Sequence, residues 1–273
     1  MTNNISFSKL IDEHENYVFD FSICTLVTRF GEYNEMMQSY FDKGFTNDCC
    51  EFLYIDNSKK CTFDAYQGLN HFLEKAHGKY VILCHQDILL HDNDKVELLE
   101  LIAEVDQKDP NWAILANAGG VNLKHISTHI TQKSGKMIVE PFLPMKVNTV
   151  DENFILVKKS ANLALSKNLS GFHMYGTDLC LIADVLGFNS YVIGFNLIHK
   201  SNGNVDSSFY KSKQNLIGKY RKAFRNRFIA TTITRFGIQN KYWSSKLYNT
   251  SFFLFLIRQF YKITTSRKDY KLK

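Results

Sequence analysis

The run KYVILCHQDILL, Lys79 to Leu90, constrains the fold more than any other stretch of the chain. Tyr80 to Cys84 are almost wholly apolar, the pattern of a strand buried on both faces of a sheet. The run stops abruptly at His85-Gln86-Asp87, and Ile88 to Leu90 return to apolar. Residues that can bind a metal or a ribose therefore stand at the carboxyl end of a buried strand. That edge is where open α/β sheets bind ligands. For a lone His-x-Asp a satisfied polar turn is the plainer reading, so the neighbouring strands must be read with it.

They repeat the pattern. Phe19 to Val27 reads as a first strand, followed by a turn at Thr28 to Gly31 and helical spacing over Glu32 to Phe41. Phe52 to Ile55 is a second strand ended by Asp56-Asn57-Ser58. Asp64 to His77 predicts a helix with Ala65, Leu69, Phe72, Leu73 and Ala76 on one face and Gly78 as its stop. A helix over Asp94 to Val105 and a strand over Trp112 to Ala116 follow the His85 segment. This βαβαβ alternation predicts an α/β fold with a doubly wound, mostly parallel central sheet. Val121 to Met145 reads as a loop-rich excursion over the sheet edge. Val147 to Val157 returns as strand, Ser160 to Asn168 and Thr177 to Leu186 as helices, and Tyr191 to Ile198 as a last strand.

Charge separates the end of the chain from the rest. Of 33 Lys and Arg and 27 Asp and Glu, 16 basic residues but a single acid, Asp269, fall from Ser207 onward. The tail carries +15, against −9 elsewhere, which suggests an anionic partner for it. A boundary is expected between 1–205 and a basic, mainly helical extension at 206–273. Asn215 to Phe228 and Ser251 to Ile263 mix aromatics with Lys and Arg, which suits a helix on an anionic bilayer. A helical subdomain packed on the core is the alternative; no nucleic-acid motif accompanies the charge. No run reaches the ~20 apolar residues that span a bilayer, and Met1 to Ile5 lacks the features of a signal peptide. A cytoplasmic location is expected, peripheral on the inner membrane face if the tail binds lipid. The six cysteines form no C-x-x-C pair and are expected reduced, with no zinc site.

Taken in order, the strand ends offer Thr25 and Thr28, Asp56 and Asn57, His85 to Asp87, Asp151 and Glu152, and His199. A carboxylate and two imidazoles converging at one edge would hold Mn2+ or Mg2+ beside a diphosphate. Neither G-x-G-x-x-G nor G-x-x-x-x-G-K-[ST] occurs, so a nucleotide would be held by side chains and a metal.

At this point the chain resembles the GT-A-fold glycosyltransferases of the family 2 type, in particular a bacterial branch with His-Gln-Asp in place of D-x-D. Tyr54 to Ser58 (YIDNS) resembles the family's V-D-[DN]-x-S, and Asn70 to Tyr80 its N-x-x-L-x-x-A-x-G-x-Y. Val150 to Val157 is similar to the strand on the acceptor side. Gly171 to Leu181, then Gly187 and His199, resemble the block with the catalytic base and a further metal ligand. The resemblance covers roughly Phe19 to Gly203. Two departures stand out: His85 replaces an aspartate, and Tyr175-Gly176 stand where many relatives have Glu-Asp.

The resemblance implies an inverting, metal-assisted transfer of a sugar from a UDP-linked donor to a saccharide or lipid-linked saccharide hydroxyl, in bacterial surface polysaccharide or lipooligosaccharide synthesis. Thr25, Thr28, Asp56, Asn57, Asn70, His85, Gln86 and Asp87 would contact the donor, and Asp87, His85 and His199 the metal. Asp178, the nearest carboxylate to the Tyr-Gly position, would be the base, with Asp151 and Glu152 as substitutes. For His85 a ribose or metal contact and a structural hydrogen bond both stand. The rivals are a sugar nucleotidyltransferase and a non-catalytic nucleotide-sugar-binding or membrane-scaffold protein.

Overall fold

The computed structural model describes residues 16–201 and 206–266. Its first half follows the expected alternation: β1 (Phe19–Val27), α1 (Phe30–Asp42), β2 (Cys50–Asp56), α2 (Ala65–Lys75), β3 (Gly78–Cys84), β4 (Ile88–Leu90), α3 (Lys95–Lys108) and β5 (Trp112–Ala116). Side chains start two of these helices. Asp64 accepts the Gln67 N–H ahead of α2, and Asp94 and Glu97 exchange hydrogen bonds in a capping box ahead of α3.

The excursion after β5 is not bare loop. It holds β6 (Ala118–Gly120), β7 (Ile126–Thr128), β8 (Ile130–Gln132) and β9 (Met137–Ile138). The strand expected over Val147 to Val157 is broken into β10 (Met145–Val147), β11 (Thr149–Val150) and β12 (Phe154–Lys158). Only one turn of 3-10 helix, Lys159–Ala161, stands where a helix over Ser160 to Asn168 was expected. Asn162 takes a left-handed conformation, with φ of 53°, and ends it. The segment beyond has its backbone satisfied by side chains instead of a helical ladder. Asn70 binds both the N–H and the C=O of Leu165, Asp178 binds the Ser166 N–H, and Asp64 binds the Gly171 N–H.

The chain continues through α4 (Tyr175–Val185), β13 (Asn189–Val192), β14 (Leu197–His199), α5 (Ser207–Ala223), the strands β15 (Arg227–Ala230) and β16 (Arg235–Ile238), α6 (Tyr242–Tyr248) and α7 (Ser251–Thr264). The single strand expected over Tyr191 to Ile198 is two, in different sheets. After β13 the chain leaves the main sheet, and buried Asn196 ties it to Asp92, Asn93 and Thr131 before β14 begins.

The main sheet has seven strands in the order β10-β13-β5-β12-β3-β1-β2. β1 runs parallel to β2 and β3, and β13 parallel to β5. β12 is inserted antiparallel between β3 and β5, with Phe154 opposite Cys84. Its beginning, and the preceding Asp151 to Asn153, therefore lie at the edge where β3 ends. A smaller sheet, β4-β14-β8-β9, adjoins in sequence: β14 pairs antiparallel with β4, and His199 stands opposite Ile88. The core runs through Phe21, Tyr80 and Trp112, with Tyr80 and Trp112 stacked at 6.1 Å between ring centres. All six cysteines are free.

The chain divides into two compact units, Met1–Lys213 and Gln214–Lys273, with the boundary inside α5. In the second, β15 and β16 form an antiparallel hairpin against which α6 and α7 pack. Among the described residues no helix is long and apolar enough to cross a membrane.

Candidate metal and substrate site

The end of β3 and the end of β14 meet because β4, directly after Asp87, pairs with β14. The Lys200 N–H also donates to the Asp87 carbonyl at 2.9 Å. Asp87 Oδ1 thereby lies 3.5 Å from His199 Nε2 and 3.9 Å from His85 Nδ1. One ligand atom from each of the three residues falls within 4.8 Å of the others. A buried carboxylate between two imidazoles fits a divalent cation, and two nitrogens suit Mn2+ better than Mg2+.

The electrostatics favour Asp87 and His85 in their binding forms. Burial opposes ionisation of Asp87, yet the hydrogen bond from His199 and the neighbouring imidazoles hold its carboxyl well below the usual range. Desolvation lowers His85, and Asp87 only partly offsets this, so the neutral imidazole is favoured.

Tyr175 decides which His85 nitrogen is free. Its hydroxyl donates to the Glu152 carbonyl at 3.1 Å and lies 3.0 Å from His85 Nε2. A hydroxyl has one proton, so in this network Nε2–H donates to Tyr175 and the Nδ1 lone pair is left on the Asp87 side. This is the arrangement by which an outer residue orients a metal-binding histidine.

Two clefts flank the three residues. One, of about 270 Å³, is lined by Thr28, Arg29, Asn57, His85, Asp87 and Tyr175 among others. The second, of about 720 Å³, is lined by Thr128, Gln132, Asp151, Asn153 and His199 among others. Asp87 and His85 face the first and His199 the second.

The remaining expected residues are distributed unevenly. Thr28 lines the first cleft, and its Oγ1 accepts from Gln86 Nε2 at 2.9 Å. Gln86 also accepts the N–H groups of Thr28 and Arg29, so its side chain clamps the β1–α1 turn onto the end of β3. Asn57 lines the same cleft but spends its amide on Thr62 and Phe63. Asp56 is exposed at the end of β2, with Oδ1 taken by Ser58.

Three expectations need correction. Thr25 is completely buried inside the sheet, its hydroxyl 3.4 Å from Cys84 Sγ, and does not line the cleft. Asn70 holds Leu165 and lines a different hollow, with Ser166 and Lys167. Asp178 is completely buried, and its two oxygens accept from the N–H and hydroxyl of Ser166. A carboxylate so enclosed has no path to an acceptor hydroxyl.

Asp151 is exposed in the second cleft. Glu152 turns to the start of α4, where its Oε1 accepts the Gly176 N–H at 3.1 Å. Burial, opposed by that hydrogen bond, pushes its carboxyl up to about 8. Gly176 is required here: a Cβ would lie 2.6 Å from the Val150 carbonyl oxygen. The Tyr175-Gly176 pair is thus a fitted local solution, tyrosine orienting His85 and glycine admitting Glu152. Sequence reasoning also passed over Arg29, which lines the first cleft and whose cation is favoured by Glu32 and by Asp87. Its signal was a lone cation two residues past a strand end.

Fold and site together describe an α/β protein with a His2Asp cluster, able to hold a cation, at the carboxyl edge of its sheet. No protein-family model matches the chain. It is 30% identical over 242 residues to the ATP synthase subunits region ORF 6 protein of Fuscovulum blasticum, which covers 86% of this chain and 97% of that one. The chain belongs to the family of that protein. Among solved structures, the fold is similar to that of a crystal structure of GalNAc-T7 with UDP, GalNAc and Mn2+ (TM-score 0.48, 9% identity, 69% of this chain covered). The chain spans 45% of the length of GalNAc-T7 in that structure. It is also similar to A197 from STIV (TM-score 0.38, 10% identity, 69% of this chain and 97% of that one).

Proposed function

We propose that the protein is a glycosyltransferase that moves a sugar from a nucleotide-sugar, UDP-linked by the family 2 resemblance of its sequence, to a saccharide or lipid-linked saccharide hydroxyl. The observation that carries this reading is the placement of Asp87 and two imidazoles between two clefts. A donor in one and an acceptor in the other would meet at the cation site.

Asp87, His85 through Nδ1 and His199 would hold Mn2+, which when bound neutralises a diphosphate as it leaves. Arg29 faces the same cleft and adds a fixed positive charge there. Asp56 presents Oδ2 to a base N–H, Oδ1 being engaged by Ser58. In the second cleft Asp151 takes the proton of the acceptor hydroxyl. That oxygen then bonds to the anomeric carbon, and the bond from carbon to diphosphate breaks with inversion. Glu152 supports the floor of the site from the α4 end. The bacterial branch that the sequence resembles points to surface polysaccharide or lipooligosaccharide synthesis.

The test is calorimetric titration of UDP with and without Mn2+, followed by release of UDP from a donor panel. Asp87→Ala should abolish the Mn2+-dependent share of UDP affinity. Asp151→Asn should keep UDP binding and lose ~10²–10⁴-fold in transfer rate, the usual contribution of a general base. Equal UDP affinity with and without Mn2+ in the parent protein would remove the cation from this reading.

A further inference from the structure

We propose that the outward face of α7 is a docking surface for an anionic lipid bilayer. This goes beyond glycosyl transfer and does not depend on it. α7 begins with a capped end, Thr250 accepting the Phe253 N–H, and carries two apolar faces. One, with Leu254, Ile257 and Tyr261, turns to the hairpin at Phe228 and Phe236. The other carries Phe252 and, three, four, eight and eleven residues on, Phe255, Leu256, Phe260 and Ile263, as one side of a helix requires. These five side chains are exposed, Phe252 by 65%, Phe260 by 60% and Ile263 by 84%.

A contiguous row of large apolar residues left in water marks an interaction site. The charge of the unit selects its occupant. Gln214–Lys273 contains 14 Lys and Arg and one acid, Asp269. Arg258 and Lys262 lie on α7 beside the apolar row, and Tyr242 and Trp243 of α6 are exposed as well. A nucleic-acid backbone would answer the charge and leave the apolar row wet. A second copy of the chain would cover the row and set like charges against each other. An anionic bilayer satisfies both features: the row enters the boundary between headgroups and acyl chains, and the cations sit among lipid phosphates. Tyr and Trp are the residues favoured at that depth.

The experiment is co-sedimentation of the full chain with vesicles of phosphatidylcholine alone or mixed with phosphatidylglycerol. Binding should require the anionic lipid and weaken as salt rises, because attraction beyond a Debye length is screened. Phe255→Gln with Leu256→Gln keeps helix-forming residues at exposed positions and should weaken binding about tenfold or more. Arg258→Gln with Lys262→Gln should reduce the salt-sensitive part. Unchanged binding in the Phe255/Leu256 variant, or no binding by the parent protein at low salt, would overturn the proposal. So would light scattering that shows a lipid-free dimer which the same variant dissolves, because the row would then belong to a second copy. UDP titration of both variants should match the parent, which keeps this test separate from that of the donor site.

Discussion

The chain has two tryptophans, and they live in opposite surroundings. Trp112, on β5 of the first unit, is fully buried; it donates its ring N–H to Asp106 and lies under the Lys158 ammonium at 4.7 Å. Trp243, on α6 of the second unit, is 77% exposed. The same contrast holds for phenylalanine: Phe21, Phe45, Phe154 and Phe195 fill the first core, while Phe252, Phe255 and Phe260 face solvent. Aromatic content alone therefore does not report burial. In the first unit a two-faced sheet consumes it, and in the second a two-stranded hairpin and the helices on it have too little surface to do so.

The largest effect expected from this contrast is on stability. Trp112→Ala should cost about 3–5 kcal/mol in chemical denaturation, the range for emptying a large aromatic site. Trp243→Ala should stay within about 0.5 kcal/mol. Comparable losses from the two would show that the second unit hides a core of its own.

The next effect separates a buried hydroxyl that orients a ligand from one that merely packs. Tyr175→Phe keeps the ring and removes the hydroxyl, and with it the acceptor for His85 Nε2–H and the donor to the Glu152 carbonyl. Mn2+ affinity, followed by the spin-resonance signal of the free ion, should fall by ~10–100-fold, as for other outer-shell partners. In a His85→Ala background the same change should have little effect. A full loss of affinity there as well would make Tyr175 a packing residue.

Another difference between the units is a pH slope confined to the first. Glu152 has its folded-state carboxyl raised to about 8 from an ordinary value of 4.5, so the folded state holds that proton more tightly than the unfolded chain. Its contribution is complete below about 4.5 and is lost as pH rises through 8. The melting temperature of Glu152→Gln, relative to the parent protein, should therefore climb from pH 5 to pH 8. All nine histidines precede Ser201, and Asp269 is the one acid after Asp206. Vesicle binding by the second unit should accordingly stay flat over the same range.

Much of the framework could be read from local pattern. The apolar run into His85 to Asp87, the caps at Asp64 and Asp94 and the aromatic helix at Ser251 are encoded within a dozen residues each. What escaped depends on distant partners. Nothing near Phe154 says that β12 will enter the sheet antiparallel, and that reversal is what brings Asp151 and Glu152 to the cation edge. Asp178 was read as a base because it is the nearest carboxylate to the Tyr175-Gly176 position. Ser166, twelve residues earlier, claims both its oxygens. Tyr175 looked like the loss of a carboxylate, and its use became visible only with His85 and the Glu152 carbonyl beside it.

The pairing of β14 with β4 has a mechanical consequence. Asp87 follows a strand of the seven-stranded sheet, whereas His199 closes a strand of the smaller one. An ion gripping both would act as a rivet between two sheets that already share one hydrophobic core. It would close a loop running from residue 87 to residue 199, and such long closures remove the most freedom from an unfolded chain. Loading the site would then stiffen the floor of both clefts at once, so that filling one would ready the other.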